Sequence, residues 1–215
     1  AKGKTEILQV MNAELANAGE MSFTRQMQPK GLGHAVWCAR DIIGHEPFAV
    51  ILPDVIVDSQ PGALKQLAEV YAETGGNIIG VESVPEDQTH KYGIVDPVSR
   101  DGSRIVMKGM VEKPAAGTAP SNLSISGRYI LQPEIFDLLE TQERGAGGEI
   151  QLTDAMDRLM QSQTFTAYEY EGVTHDCGDK IGLLRANVAL ALKRPDLGDA
   201  AREAMKITFF HWGLH

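Results

Sequence analysis

Phe48-Ala49-Val50-Ile51-Leu52-Pro53-Asp54 is an unbroken run of five apolar residues that halts at a proline and a carboxylate. A strand covered on both faces of a parallel sheet needs such a run, so these residues predict a central strand with Asp54 just beyond its carboxyl end. Ahead of it, Ile7, Leu8, Met11 and Leu15 keep helical spacing as far as Gly19, and residues 21–26 alternate as a short strand does. Pro29-Lys30-Gly31-Leu32-Gly33 is turn-prone and leads into Ala35, Val36, Cys38, Ala39, Ile42 and Ile43 at helical spacing. Behind it, residues 64–74 read as helix and 77–84 as strand. The order α, β, α, β, α, β is that of a parallel sheet with helices on both sides.

The second half changes character. Strand-like segments follow closely at 92–98, 104–113 and 122–132, with a turn at Asp101-Gly102, and predict an antiparallel excursion packed beside the parallel sheet. Residues 133–141, with proline in the first turn, and 149–160 read as helices, 164–171 as a strand and 180–193 as a helix with one apolar face. With no internal repeat or low-complexity linker, the whole reads as one α/β domain with an inserted antiparallel β lobe.

The 215 residues carry 20 Lys and Arg against 29 Asp and Glu, a formal charge of −9. That balance argues against a nucleic-acid surface or docking to anionic membranes, and a polyanionic ligand must meet local positive charge or a metal. Cys38 and Cys177 stand apart from any CxxC or Cys/His cluster, which disfavours a disulfide framework or structural zinc and fits a reducing cytoplasm. The longest apolar stretches, such as 48–52 and 188–192, fall far short of the roughly 18 residues of a membrane span. The chain opens at Ala1 with apolar periodicity almost at once, which reads as a chain cut into. Its last residues, 207–215 (ITFFHWGLH), are aromatic and uncharged apart from two histidines, and read equally as a packed end or a cloning remnant.

Several residues are candidates for chemistry, each with a plain alternative. Gly31-Leu32-Gly33 suggests a dinucleotide loop, but the third glycine position is Val36, which leaves a base- or phosphate-facing loop against an ordinary tight turn, the weightier reading. Asp54 sits where open α/β sheets place ligand-binding groups, as a Mg²⁺ ligand or as a helix cap. Asp58 is weaker, because Val55, Ile56 and Val57 separate it from Asp54. Glu112 and Lys113 end a strand with side chains on opposite faces, one able to accept from hydroxyls and the other to neutralise a phosphate; such a pair is also commonplace on a solvated strand end. Asp176 could reach the crevice of Asp54, and two carboxylates there need a cation between them. His175 reads as packed or capping, Cys177 as inert, and Gly145, Gly147 and Gly148 as a flexible loop entering a helix.

The order of these segments resembles the bacterial UTP:glucose-1-phosphate uridylyltransferases, or UDP-glucose pyrophosphorylases, of the sugar-nucleotide pyrophosphorylase superfamily. The matching stretches are Arg25-Gln26 through Lys30-Gly31-Leu32-Gly33-His34-Ala35, Val50 to Val55, Tyr92-Gly93-Ile94-Val95 and Val111-Glu112-Lys113-Pro114. Ala119 to Leu123 with Gly127-Arg128-Tyr129, Gly145 to Ala155, and His175-Asp176-Cys177-Gly178 complete them.

The resemblance implies a Rossmann-like nucleotidyltransferase domain, with a mixed, largely parallel central sheet flanked by helices, that makes UDP-glucose and pyrophosphate from UTP and glucose 1-phosphate with Mg²⁺. By the same resemblance Gln26 and the Gly31 backbone contact the uracil, Asp54 holds Mg²⁺, Asp176 is similar to the second metal-site aspartate of related pyrophosphorylases, and Gly93, Glu112 and Ile125 line the sugar pocket. Lys113 binds the sugar phosphate, with Lys30 and Lys180 as possible auxiliaries. A cytoplasmic dimer or tetramer is implied. The family's opening loop, of the type GxGTRxxPxTKxxPKE, has no counterpart here. Residues 1–206 are therefore expected to be a catalytic domain without its N-terminal nucleotide-binding βα unit, inactive as written, and 207–215 an atypical tail. A thymidylyltransferase or other sugar-1-phosphate nucleotidyltransferase, and a non-catalytic UDP-glucose-binding regulatory paralogue, remain alternatives.

Overall fold

A computed structural model of the chain describes residues 2–13, 15–141 and 143–211. Its elements run α1 (Lys2–Ala13), α2 (Leu32–Trp37), α3 (Arg40–Ile43), β1 (Phe48–Ile51), β2 (Val55–Asp58), α4 (Ala63–Thr74), β3 (Asn77–Ser83), β4 (Gly93–Asp101) and β5 (Arg104–Glu112). They continue with β6 (Leu123–Leu131), α5 (Ile135–Glu140), α6 (Leu152–Leu159), β7 (Phe165–Glu169), β8 (Val173–Asp176), α7 (Lys180–Lys193) and α8 (Gly198–His211).

The helices that packing decides are the ones periodicity announces. α4 buries Ala63, Gln66, Leu67 and Val70, a stripe at helical spacing, and stops at Gly75, whose positive φ lets its N–H bond the Tyr71 carbonyl at 2.8 Å. Asp179 caps α7, its carboxylate accepting from the N–H groups of Ile181 and Gly182. Helix α8 continues past Lys206 to His211, and residues 212–215 lie outside the described ones.

Six strands form one mixed sheet in the order β1-β6-β3-β7-β5-β4, and β2 pairs with β8 in a separate antiparallel ribbon. The sheet is mixed, as expected, but not largely parallel: among the described strands only β3 and β7 run parallel, and the remaining pairings are antiparallel. Rather than lying beside the sheet, the β4–β5 hairpin is continuous with it: β5 extends the sheet from β7, and β4 curls back to meet β6 at Ile94–Ser124. That closure sets Gly93 and Glu112, which are register partners, close to Ile125 of β6.

Alternation along β3 and β6 feeds two cores. Ile79, Val81, Tyr129 and Leu131 pack with Ile135, Leu139, Leu152 and Met156 of α5 and α6, whereas Ile78 and Ile130 pack with Leu67 and Val70 of α4. Helices thus cover both faces. Leu67 is fully buried in the smaller core, so Leu67→Ala should cost about 2–5 kcal/mol, read as a lower urea midpoint at an unchanged slope.

Three further expectations are corrected. Residues 21–26 form no strand: alternation marks which side chains could face a core, but a strand also needs a ladder partner, and Phe23 stands 87% exposed. The run at 48–52 is an edge strand rather than a central one, pairing only with β6 among the described strands and leaving Ala49 and Ile51 exposed. The single helix expected through residues 35–43 is split at Cys38 and Ala39 into α2 and α3.

Candidate active site

Asp54 follows β1 in the turn that enters β2, and Asp176 ends β8; pairing of β2 with β8 makes Val55 and Asp176 register partners. The Cys177 N–H donates to the Asp54 carbonyl at 2.7 Å, binding the two turns together. A Cβ placed on Gly178 would lie 3.1 Å from Asp176 Oδ1 and 3.3 Å from Asp54 Oδ2, so both carboxylates border one small space that only a glycine leaves open. Asp176 accepts from the Gly178 N–H at 3.0 Å and, more weakly, from the Tyr92 hydroxyl at 3.4 Å. Burial first, and then the charge of Asp176, push the Tyr92 phenol up, which keeps it a donor. The carboxylate of Asp54 has no hydrogen-bond or ion-pair partner among the described residues. A cleft of about 970 Å³, lined in part by Glu82, Tyr92, Thr174, Asp176 and Arg185, opens beside this pair. Burial raises the pKa of Glu82 in that cleft, a bond from Thr174 opposes the shift, and the charge of Asp176 adds to it.

Gly93, Glu112 and Ile125 meet at a second point. A Cβ at Gly93 would lie 3.1 Å from Glu112 Oε2, Ile125 Cδ1 and Thr153 Oγ1 alike, so any side chain there would be jammed. The Thr153 hydroxyl donates to Glu112 Oε2 at 2.7 Å and holds that carboxylate in place. Lys113 departs from strand alternation. Its φ of +47° is left-handed, and its ammonium lies 3.9 Å from Glu112 Oε1, so the two side chains share a side instead of facing opposite ways as expected.

Shared residues link the two points. Tyr92 joins them: its carbonyl accepts the Lys113 N–H at 3.0 Å while its hydroxyl reaches Asp176. Tyr129, buried between, has its phenol raised first by burial and then by Glu112, with Asp54 adding a smaller push. The Gln26 amide donates to the Gly31 carbonyl at 3.0 Å. Ile150 grips this loop through both backbone groups, donating to the Lys30 carbonyl at 2.7 Å and accepting from Gly33 at 2.9 Å. Three residues further on, Thr153 grips Glu112, so the entry to α6 couples the Gln26–Gly31 loop to the Glu112–Lys113 corner.

Asp58 is engaged by Lys193, His175 is buried with its ring Nε2 unpaired among the described residues, and Cys38 and Cys177 are free. Sequence alone does not single out Thr153 and Tyr92, whose parts depend on contacts across the chain. The local signals were a threonine at the first turn of a helix and a tyrosine immediately before Gly93.

The chain belongs to the nucleotidyl transferase family, which it matches over residues 3–192. It is 49% identical over 207 residues to a UTP–glucose-1-phosphate uridylyltransferase of Staphylococcus epidermidis, covering 95% of this chain and 71% of that protein. A UTP-bound UDP-glucose pyrophosphorylase of Acinetobacter baumannii superposes with a TM-score of 0.80 at 38% identity, covering 95% of this chain and 72% of the other. A UDP-glucose pyrophosphorylase in complex with UDP-glucose superposes with a TM-score of 0.78 at 39% identity, over 80% of this chain and 66% of the other. Within the family its place is with the UTP–glucose-1-phosphate uridylyltransferases.

Proposed function

We propose that the protein carrying this chain joins UTP to glucose 1-phosphate, giving UDP-glucose and pyrophosphate. The carrying observation is the link, through Tyr92, between the Glu112–Lys113 corner and the gap that Asp176 shares with Asp54, whose carboxylate has no partner among the described residues.

A phosphate oxygen of glucose 1-phosphate attacks the α-phosphorus of UTP, and the bond from that phosphorus to the bridging oxygen breaks to release pyrophosphate. The attacking oxygen is already ionised at neutral pH, so no residue need remove a proton. The obstacle is repulsion: unit charges 4 Å apart cost about 4 kcal/mol at an effective dielectric near 20, and each reactant carries several. Placement of positive charge therefore decides the rate. Lys113 would hold the attacking phosphate in line, while Glu112, fixed by Thr153, accepts from sugar hydroxyls and Gly93 lets the sugar approach the backbone. Gln26 and the Gly31 backbone would read the base.

Mg²⁺ fits the Asp54–Asp176 gap by the chemistry of its donors: hard oxygens, from two carboxylates rather than from a cluster of three or more His, Cys, Asp or Glu among the described residues. When bound there it would neutralise charge on the nucleotide phosphates.

Incubation of the protein with UTP, glucose 1-phosphate and Mg²⁺ should release pyrophosphate and UDP-glucose in equal amounts. A preference for dTTP would make it a thymidylyltransferase, and UDP-glucose binding without product would make it a regulatory paralogue. Thr153→Val frees the Glu112 carboxylate and should raise KM for glucose 1-phosphate about tenfold, the worth of one bond to a charged group.

A further inference from the structure

Strand β6 carries an irregularity. From Ile125 to Tyr129 it takes four steps where β3 takes two, from Val81 to Ile79. Such a bulge re-aims side chains that plain alternation would send elsewhere. Gly127, at φ +70°, makes the bend, and a Cβ there would press on the Leu52 side chain at 3.0 Å. Gly80, on the facing strand, leaves the room: a Cβ at that position would lie 3.1 Å from Arg128 Cβ.

The side chain aimed by this bulge is Arg128, only 9% exposed. Its Nη1 donates to the carbonyls of Leu52 at 3.2 Å and Gly127 at 3.0 Å, and its Nη2 donates to the carbonyl of Val55. Among the described residues it has no carboxylate ion-pair partner. A guanidinium is costly to bury unless its donors are met, and here backbone dipoles meet them. Two of the three carbonyls, Leu52 and Val55, bracket Pro53-Asp54. The Leu52 N–H also returns to the Gly127 carbonyl at 3.0 Å, so the turn that bears Asp54 is held from both ends against the bulge. Planar, forked donors suit this task, because one side chain spans two carbonyls that a lysine could serve only in part.

We propose that Arg128 is a positioning residue: it fixes the Leu52–Val55 turn so that the Asp54 carboxylate faces Asp176, and it thereby sets the affinity of that gap for a divalent cation. The inference rests on the metal reading of Asp54 given above.

Titration of the intact protein with Mn²⁺, followed by loss of the free-ion EPR signal, tests it without recourse to turnover, with thermal melting run alongside. Arg128→Met should weaken Mn²⁺ binding about tenfold or more, the range seen when residues that orient metal ligands are removed, and Arg128→Lys should fall between it and the parent. Asp54→Asn serves as the control. Parental Mn²⁺ affinity in Arg128→Met, with the affinity of Asp54→Asn reduced, leaves the metal reading standing and overturns the role of Arg128, whatever happens to the melting temperature. Parental affinity in Asp54→Asn overturns the metal reading itself. Should Arg128→Met not fold, the lysine variant decides by the same measure: several-fold weaker binding supports the proposal and parental binding ends it.

Discussion

Replacing Lys113 by alanine will slow pyrophosphate release by about a hundredfold to a thousandfold and leave the thermal transition almost where it was. The first half follows from the proposed reaction, in which this ammonium is the only cationic side chain beside Glu112 among the described ion pairs. The second half follows from its surroundings. The side chain is 52% exposed, and its contact with Glu112 is long, so the folded state loses about 0.5 kcal/mol or less. Alanine occupies a left-handed φ no more comfortably than lysine, so the backbone cost is the same in both proteins and cancels. Steady-state kinetics on the full-length protein, with melting curves on the same samples, checks both halves; release at the parental rate would take Lys113 out of the reaction.

Asp54→Asn should have the other large effect. It keeps the shape of the side chain and removes its charge, and turnover at saturating Mg²⁺ should drop by about three orders of magnitude, the several kcal/mol that a well-placed divalent ion supplies. Folding has little reason to suffer, because the carboxylate makes no hydrogen bond among the described residues and faces another carboxylate, Asp176. In metal-free buffer the variant should melt no lower than the parent, since the substitution removes a repulsion. A Mg²⁺ titration of the rate gives the answer: activity that persists with an unchanged half-saturation point would assign the ion to other ligands.

What could be read from the sequence divides along a physical line. The bounds of helix α7 were legible to the residue, from the cap at Asp179 to Lys193, but the expected apolar face was not found: only Ala186 is buried, and Ile181, Leu183, Leu184 and Leu190 are exposed. α4 was legible because its burial follows the helical period, and β3 because it is a short apolar run whose first five residues are all buried. β1 was placed at the centre because five apolar residues say that a strand is buried without saying by what; its neighbours are a long-range matter, and among the described strands only β6 supplies one. β2 and β8 went unseen because each is four residues long and, among the described strands, pairs with the other alone. At the site, the ordered segments named Asp54, Gly93, Glu112, Lys113 and Asp176; the structure sets Asp54 and Asp176 about one gap and Gly93, Glu112, Lys113 and Ile125 about another. The relative orientation of Glu112 and Lys113 was misjudged, since a left-handed torsion at one lysine leaves no trace in alternation. Arg128 was legible only as part of a matching stretch, because its work is done on backbone atoms more than seventy positions away.

The position of β1 at the border of its sheet also bears on handling the protein at the bench. Ala49 and Ile51 are open to solvent there, and no described strand covers the side turned away from β6. Borders of this kind take up further strands, from the rest of a longer protein or from another molecule, and clouding of concentrated samples of this chain alone would be the symptom of the second. Ala49→Lys is the natural gatekeeper: a charge set on an already exposed position, where it interrupts stacking of one molecule on the next without touching the chemistry next to Asp54.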